Sequence, residues 1–477
     1  MDLMKNRYLY VYPVLFASTQ SGFTQTQTQT QEKVEVIKPN IIHIVMDDVG
    51  YDDLGCFGAK DIKTPNIDAL AQNGMKLTDF YAPHGTSTPS RAALLTGRYA
   101  PRVNKGTGLY VLFPHSNTGL EDEDEVCIAE ILKENGYVTG LYGKWHLGHL
   151  PQYLPVVHGF DSFLGIPYPN DHGPERLGGT GVRPNGISDP RIPLIRQAQV
   201  IKECDNNDLG ELPHVFRQEA CRFIYESVKN EKPFYLHYAN IETHTPYFIP
   251  RGFEGKSQAG AFGDAVEYLD NTVGVIMAMV KRMKIEDNTW VIITSDNGPL
   301  IHKDPELENC YGRFGETDPN RKHVLRGGKY QEKYDGGIRV SCVMSWPKVI
   351  KPNSETKELT TAMDLFTTMA LVAGGDVPSD RPIDGKNILS LIRGDKGVKS
   401  PHKAVFGFRP RGGLESVRFE NWKLIMPDRK NNVQLYDLSS DLAESKNVAD
   451  LYPGIVEKMM KMGYDADACI KNNKNIN

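Results

Sequence analysis

Residues 41–48 read Ile41-Ile42-His43-Ile44-Val45-Met46-Asp47-Asp48, an apolar run that stops on two carboxylates. A β-branched run of this kind has no polar face to offer water, so it reads as a strand buried on both sides, as in a parallel sheet. Three further runs are built alike: Tyr137-Val138-Thr139-Gly140-Leu141, Phe234-Tyr235-Leu236-His237-Tyr238 and Trp290-Val291-Ile292-Ile293-Thr294. Amphipathic stretches lie between them. In 125–135, for example, Val126, Ile128, Ile131 and Leu132 fall broadly on one side of a helix. The acidic run Glu121-Asp122-Glu123-Asp124-Glu125 is expected at that helix's start, solvated and suited to the macrodipole rather than to a metal. The pattern predicts an α/β fold with a large, mostly parallel sheet sandwiched by helices.

From about residue 379 the texture changes. Trp422-Lys423-Leu424-Ile425 and Gln434-Leu435-Tyr436-Asp437-Leu438 read as short antiparallel strands, with a helix at about 452–462 and a frayed tail from Lys471. This predicts a smaller C-terminal α+β subdomain, residues 379–477, after a main domain of 36–378. Residues 1–35 differ again. Lys5 and Arg7 precede an apolar stretch from Tyr8 to Ala17, and a Gln-Thr tract covers 24–31. That order reads as a secretory signal peptide and a flexible linker, so the expected location is periplasmic or secreted.

Composition narrows the function. The chain has 477 residues, a formal net charge of −5 and 24% charged residues. No basic excess marks a nucleic-acid binder, and no apolar run reaches the roughly 20 residues of a membrane span. The 7 cysteines include no C-x-x-C, and no H-E-x-x-H occurs, so zinc-type ligand spacing is missing.

The chemistry gathers where the apolar runs end. Asp47 and Asp48 follow the first, Lys144 and His146 the second, His244 the third, and Asp296 and Asn297 the fourth. In open α/β sheets ligands bind beyond the carboxyl ends of the strands, so these residues are expected in one crevice. Asp47, Asp48, Asp296 and Asn297 offer only hard oxygen donors, which suits calcium or magnesium, with several carboxylates favouring calcium. In Ser87-Thr88-Pro89-Ser90-Arg91-Ala92-Ala93-Leu94-Leu95-Thr96-Gly97-Arg98, a helix opens on a hydroxyl with an arginine four residues on. A helix amino terminus favours anions, so the segment reads as a nucleophile beside an oxyanion clamp.

Residues 87–97 resemble the signature of the formylglycine-dependent sulfatases, Cys/Ser-x-Pro-x-Arg-x-x-x-Leu-Thr-Gly. The resemblance extends to Met46–Cys56, Gly143-Lys144-Trp145-His146-Leu147-Gly148, Ser295-Asp296-Asn297-Gly298-Pro299, Asp335-Gly336-Gly337-Ile338-Arg339 and Leu435-Tyr436-Asp437-Leu438 with Glu444 and Asn447. It covers about residues 38–450. Gly165-Ile166-Pro167-Tyr168 is similar to the arylsulfatase A and N-acetylgalactosamine-6-sulfatase branch. The resemblance implies an alkaline-phosphatase-like fold and hydrolysis of sulfate esters. It implies that Ser87 is oxidised to formylglycine by an anaerobic radical-type maturase, and that its hydrate attacks sulfur and then expels sulfate. Calcium would be held by Asp47, Asp48, Asp296, Asn297 and the modified residue 87. Arg91 and Lys144 would bind the developing charge, His146 would act as base, and His244 as general acid helped by a lysine. Lys329 in Gly327-Gly328-Lys329 is the expected lysine; Lys333 is its rival, because the spacing to Asp335-Gly336-Gly337 is one residue longer than the family pattern.

Substrate recognition is read from two places. Asp171 and His172 are expected to grip an axial sugar hydroxyl, which favours a sulfated glycan carrying 6-O-sulfated galactose or N-acetylgalactosamine. The stretch Pro299 to Gly328, with His302, Lys303, Arg313, Arg321, Lys322 and His323, reads either as a lid over an acidic substrate or as a solvated insertion. The rival functions are a phosphonate monoester or phosphodiester hydrolase using the same nucleophile motif, and a silent glycan-binding homologue with Ser87 unmodified. A two-zinc phosphatase is disfavoured, since no second Asp/His cluster stands at strand ends.

Overall fold

The structure, a computed structural model, describes residues 38–173, 190–301 and 323–476, apart from positions 410, 428, 430 and 431. The signal-peptide and linker reading of 1–35 lies outside the described residues, as do His302, Lys303, Arg313, Arg321 and Lys322.

Sixteen strands are described: β1 (Asn40–Met46), β2 (Met75–Leu77), β3 (Phe80–Tyr81), β4 (Val138–Lys144), β5 (Ser162–Ile166), β6 (Ile192–Arg196), β7 (Gln199–Cys204), β8 (Phe234–Ala239), β9 (Thr289–Ser295), β10 (Cys342–Ser345), β11 (Ser354–Thr356), β12 (Thr360–Thr361), β13 (Val405–Phe408), β14 (Leu414–Phe419), β15 (Trp422–Ile425) and β16 (Gln434–Asp437). Ten of them form one sheet in the order β11-β2-β10-β9-β1-β8-β4-β5-β6-β7. The four apolar runs of the sequence are its consecutive central strands, β9-β1-β8-β4, all parallel. Antiparallel pairing is confined to the flanks, at β10 with β9 and β2 and at β6 with β5 and β7. Those short flanking strands carry no long apolar run, which is why sequence reading passed over them.

Burial on both faces has a direct cause in β1. Ile41 and Val45 enter one core with the helices Ser87–Thr96, Ile128–Glu134 and Met363–Val372. Ile42, Ile44 and Met46 point the other way, against Pro65–Gln72, Asn206–Lys229 and Gly260–Arg282. This is the period-2 alternation of a strand between two helical layers. His43 is the one imidazole in this run; burial and then the Arg91 charge push its pKa down to about 3, so it packs as a neutral ring.

Register brings the four functional strand ends level. Met46 lies opposite Ser295, and Val45 and Gly143 both lie opposite Ala239. Asp47, Asn240, Lys144 and Asp296 therefore leave the sheet at one height. The closeness there excludes side chains: a Cβ on Gly143, whose φ is +114°, would stand 1.7 Å from the Ala239 carbonyl oxygen.

Strands β13 to β16 form a separate antiparallel sheet, packed on a helix from Pro453 to Lys471. Three details correct the sequence reading. The helix runs well past 462, and the segment after it is tied down rather than frayed, since Arg102 Nη2 donates to the Lys474 carbonyl at 2.7 Å and Ile476 packs on the small core. The acidic run is not the helix start either. The helix begins at Ile128 with Glu130 in its first turn, and Glu125 is buried, accepting from Arg98 Nη1 at 2.7 and 2.8 Å. Burial opposite a guanidinium outweighed solvation for that one carboxylate.

Candidate active site

Ser87 is the first residue of the Ser87–Thr96 helix, with Thr86 as its N-cap, so its hydroxyl stands where unpaired backbone N–H groups favour negative charge. Its Oγ lies 3.4 Å from Asp47 Oδ1, 3.4 Å from Asn297 Oδ1 and 3.2 Å from Lys144 Nζ. Sequence spacing had set Arg91 beside this hydroxyl. The guanidinium is held by Asp296, with Nε and Nη2 each 2.8 Å from Oδ2, and stands 3.6 Å from Asp47, whose Oδ1 also meets Ser87.

Each carboxylate is matched by one cation. Lys144 Nζ donates to both Asp47 oxygens at 2.6 and 2.9 Å, and Lys329 Nζ to Asp48 Oδ2 at 2.7 Å. With Arg91 on Asp296, three negative charges meet three positive ones, all buried. Burial lowers the Lys144 pKa although Asp47 opposes it; for Lys329 burial acts the same way, but Asp48 prevails and raises it.

Backbone conformation aims these groups. Asp48 has φ 58° and His146 φ 59°, left-handed conformations that non-glycine residues seldom adopt. Asp48 Oδ1 accepts from Asn297 Nδ2 at 2.8 Å, and the Asp48 N–H faces Asp296 Oδ1 at 3.3 Å.

The two histidines differ in which nitrogen is open. His146 Nε2 faces the Leu112 carbonyl at 3.1 Å, so it carries the proton, and the buried Nδ1 has no hydrogen-bond partner among the described residues. His244 Nδ1 faces the Thr245 carbonyl at 2.6 Å, which leaves Nε2 to accept from Lys329 Nζ at 3.0 Å. Burial holds both well below the ordinary imidazole pKa, reinforced by Lys144 at His146 and by Lys329 at His244. Lys333 takes no part here; its ammonium lies 4.9 Å from the centre of the Tyr334 ring.

Asp171 Oδ1 and His172 Nε2 are 3.7 Å apart. The His172 ring meets His146 edge-on at 5.8 Å and stacks on Phe113 at 4.9 Å. Asn170 Nδ2 donates to the carbonyls of Ile241 and His244 at 2.9 and 3.2 Å, joining this turn to the His244 segment.

Donor chemistry fits a hard divalent cation. Asp47, Asp48 and Asp296 carry carboxylates, Asn297 an amide oxygen, and Ser87 touches two of these four residues. Asp47, Asp48 and His244 each present one donor atom within 4.8 Å of the others, so His244 borders the same space.

Several supporting residues escaped sequence reading. Asn240 Oδ1 accepts the Asp47 N–H at 2.8 Å, Thr243 Oγ1 donates to the Asp47 carbonyl at 2.6 Å, and Ser90 Oγ donates to the Asp296 carbonyl at 2.5 Å. Asn240 and Thr243 lie in the turn right after the third apolar run, where strand-end logic extended a few residues would have found them. Ser90 sits inside the Ser87 helix and carries no separate signal.

Residues 39–375 match the family model described as Sulfatase, and residues 330–462 match that described as N-sulphoglucosamine sulphohydrolase, C-terminal. The N-acetylgalactosamine-6-sulfatase of Canis lupus familiaris is 37% identical over 441 residues, 89% of this chain and 78% of that relative. The arylsulfatase A of Homo sapiens is 38% identical over 376 residues, 77% of this chain and 70% of that relative. Among solved structures, the PsFucS1 sulfatase from Pseudoalteromonas sp. superposes with a TM-score of 0.77 at 26% identity, covering 92% of both chains.

Proposed function

The chain belongs to the sulfatase family and is a sulfuric ester hydrolase; from that premise we propose that it acts on sulfated carbohydrates, with 6-O-sulfated galactose or N-acetylgalactosamine the favoured unit. The observation that carries this reading is the Ser87 hydroxyl at a helix amino terminus, within 3.2 Å of Lys144 Nζ and 3.4 Å of Asp47 and Asn297. The choice of sugar is supported by the relative named N-acetylgalactosamine-6-sulfatase and by the Asp171–His172 pair against His146.

Ser87 is the proposed precursor of formylglycine, whose hydrate would supply one hydroxyl for attack on sulfur and a second for release of sulfate. Asp47, Asp48, Asp296, Asn297 and residue 87 would hold calcium, which would lower the nucleophile's pKa and neutralise sulfate oxygens. The protein's own groups do the rest. Arg91 and Lys144, fixed on Asp296 and Asp47, present positive charge beside residue 87 without reorganising. His146 is neutral with its lone pair on Nδ1, the state a base needs. At the leaving oxygen the available proton sits on Lys329, shared with His244 Nε2, so the two act as one acid.

The same reading gives a catalytic domain of 36–378 with a subdomain of 379–477, export to the periplasm or beyond, and maturation by an anaerobic radical-type enzyme. The test is the mass of the tryptic peptide Leu77–Arg91 from protein co-produced with such a maturase, followed by hydrolysis of sulfated monosaccharides against matched phosphate esters. Loss of two hydrogens at Ser87 and preferential release of sulfate from a 6-O-sulfated sugar are expected. Intact serine, or sulfated sugars left untouched by the matured protein, would end the proposal.

A further inference from the structure

On the Asn206–Lys229 helix, His214 and Arg217, and likewise Arg222 and Tyr225, stand three residues apart, and all four line one groove. This solvent-facing side carries two arginines and a histidine beside Gln218 and Cys221. It faces Val275 and Arg282 of the Gly260–Arg282 helix across a groove of about 550 Å³. Among the described residues no carboxylate lines that groove. Glu219 stands beside it, but it is shared between Arg222 at 2.6 Å and Arg196 at 3.0 Å. Arg217 donates to Asn271 Oδ1 and meets His214 Nδ1, both at 2.8 Å, and its guanidinium lies 5.3 Å from the centre of the Tyr268 ring. Arg282 makes no ion pair with a described residue. A cationic groove of this kind on a chain of net charge −5 is a local feature, not a reflection of composition.

We propose that this groove is a second binding site, remote from Ser87, for the sulfated chain of a polymeric glycan. The proposal rests on the sulfated-carbohydrate reading above. Guanidinium groups match the oxygens of a sulfate as they match those of a phosphate, in a forked, charge-assisted geometry. Tyr225 is 42% exposed, with Lys229 Nζ over its ring at 5.9 Å from the centre, which brings a further cation to the end of the groove. Three guanidinium groups, Arg217, Arg222 and Arg282, spread along one groove can meet several sulfates of one chain, which a small free anion cannot supply. Arg282 ends the helix that leads to the amino end of β9, whereas Asp296 leaves its carboxyl end, so the strand's length of about 20 Å separates the two places. A polymer held there raises the local concentration of its sulfates at the active site.

The test compares Arg222→Ala/Arg282→Ala and Tyr225→Ala with the parent, each in a Ser87→Ala background, by affinity electrophoresis through a sulfated galactan and through its desulfated form. Retardation by the sulfated polymer alone is expected, with affinity falling about tenfold in the double variant and weakening as salt rises. With Ser87 intact, the double variant should keep its kcat/KM on a sulfated monosaccharide and show a raised KM on the polymer. Undiminished retardation of both variants would overturn the groove, as would duplex DNA binding it as tightly as the galactan. Binding is read without turnover, so retained groove binding in a protein that hydrolyses no sulfated sugar would sink the substrate reading and leave this one standing.

Discussion

Lys329 Nζ stands 3.0 Å from His244 Nε2. Because His244 Nδ1 is committed to the Thr245 carbonyl, the lysine must be the donor in that contact. Asp48, 2.7 Å from the same ammonium, keeps it charged against the cost of burial.

Lys329→Ala is therefore expected to lower kcat by about 10²- to 10⁴-fold, the usual worth of a positioned proton donor. Lys333→Ala should change it by no more than about threefold, since Lys333 rests on Tyr334. Steady-state kinetics on an ester with a poor leaving group decides the matter. Equal losses in the two variants would exclude Lys329 as the specific donor.

Metal removal is the second prediction. Three carboxylates and one amide oxygen form a hard donor set, so EGTA should abolish hydrolysis and calcium should restore it better than zinc. Calcium should also raise the melting temperature of the apo protein; saturation at 100 times Kd is worth about 2.7 kcal/mol. Restoration by zinc alone would reject the calcium assignment.

The strand ends were legible because burial on both faces forces long apolar runs, and ligands gather where such runs stop. Asp47, Lys144, His244 and Asp296 could be placed in one crevice on that argument alone. What could not be read depended on partners distant in sequence. Nothing near Glu125 announces that Arg98 and the Asn104 backbone will bury it, and nothing in the tail announces Arg102. The position of Arg91 is the instructive case. Helical spacing put it on the Ser87 side, but nothing in that segment announced that Asp296, 205 residues away in the chain, would hold the guanidinium.

Lys423 and Asp335 form a fully buried ion pair at 2.9 Å that ties the Asp335-Gly336-Gly337 turn to β15. Burial alone would raise the Asp335 pKa, but Lys423, then Arg339 and Arg418, hold it below its ordinary value. Lys423→Ala leaves a buried carboxylate short of its main cation, and should cost about 3–5 kcal/mol in urea unfolding. A loss under about 1 kcal/mol would show that Arg339 and Arg418 suffice.

Glu242 carries the last prediction. It is buried, and burial pushes its pKa up to about 7 although nearby backbone N–H groups, Asn240 and the Arg217 charge oppose the shift. The folded state therefore holds a proton that the unfolded state releases above about 4.5. The associated stability is fully present below that value and is lost as pH rises through about 7. Glu242→Gln cannot ionise and should escape this loss. Between pH 5 and pH 8 the variant is expected to gain on the parent by about 2 kcal/mol, read as the difference in urea midpoints. Parallel curves across that interval would mean that Glu242 is already charged in the folded protein, and that a cation or water outside the described contacts compensates it.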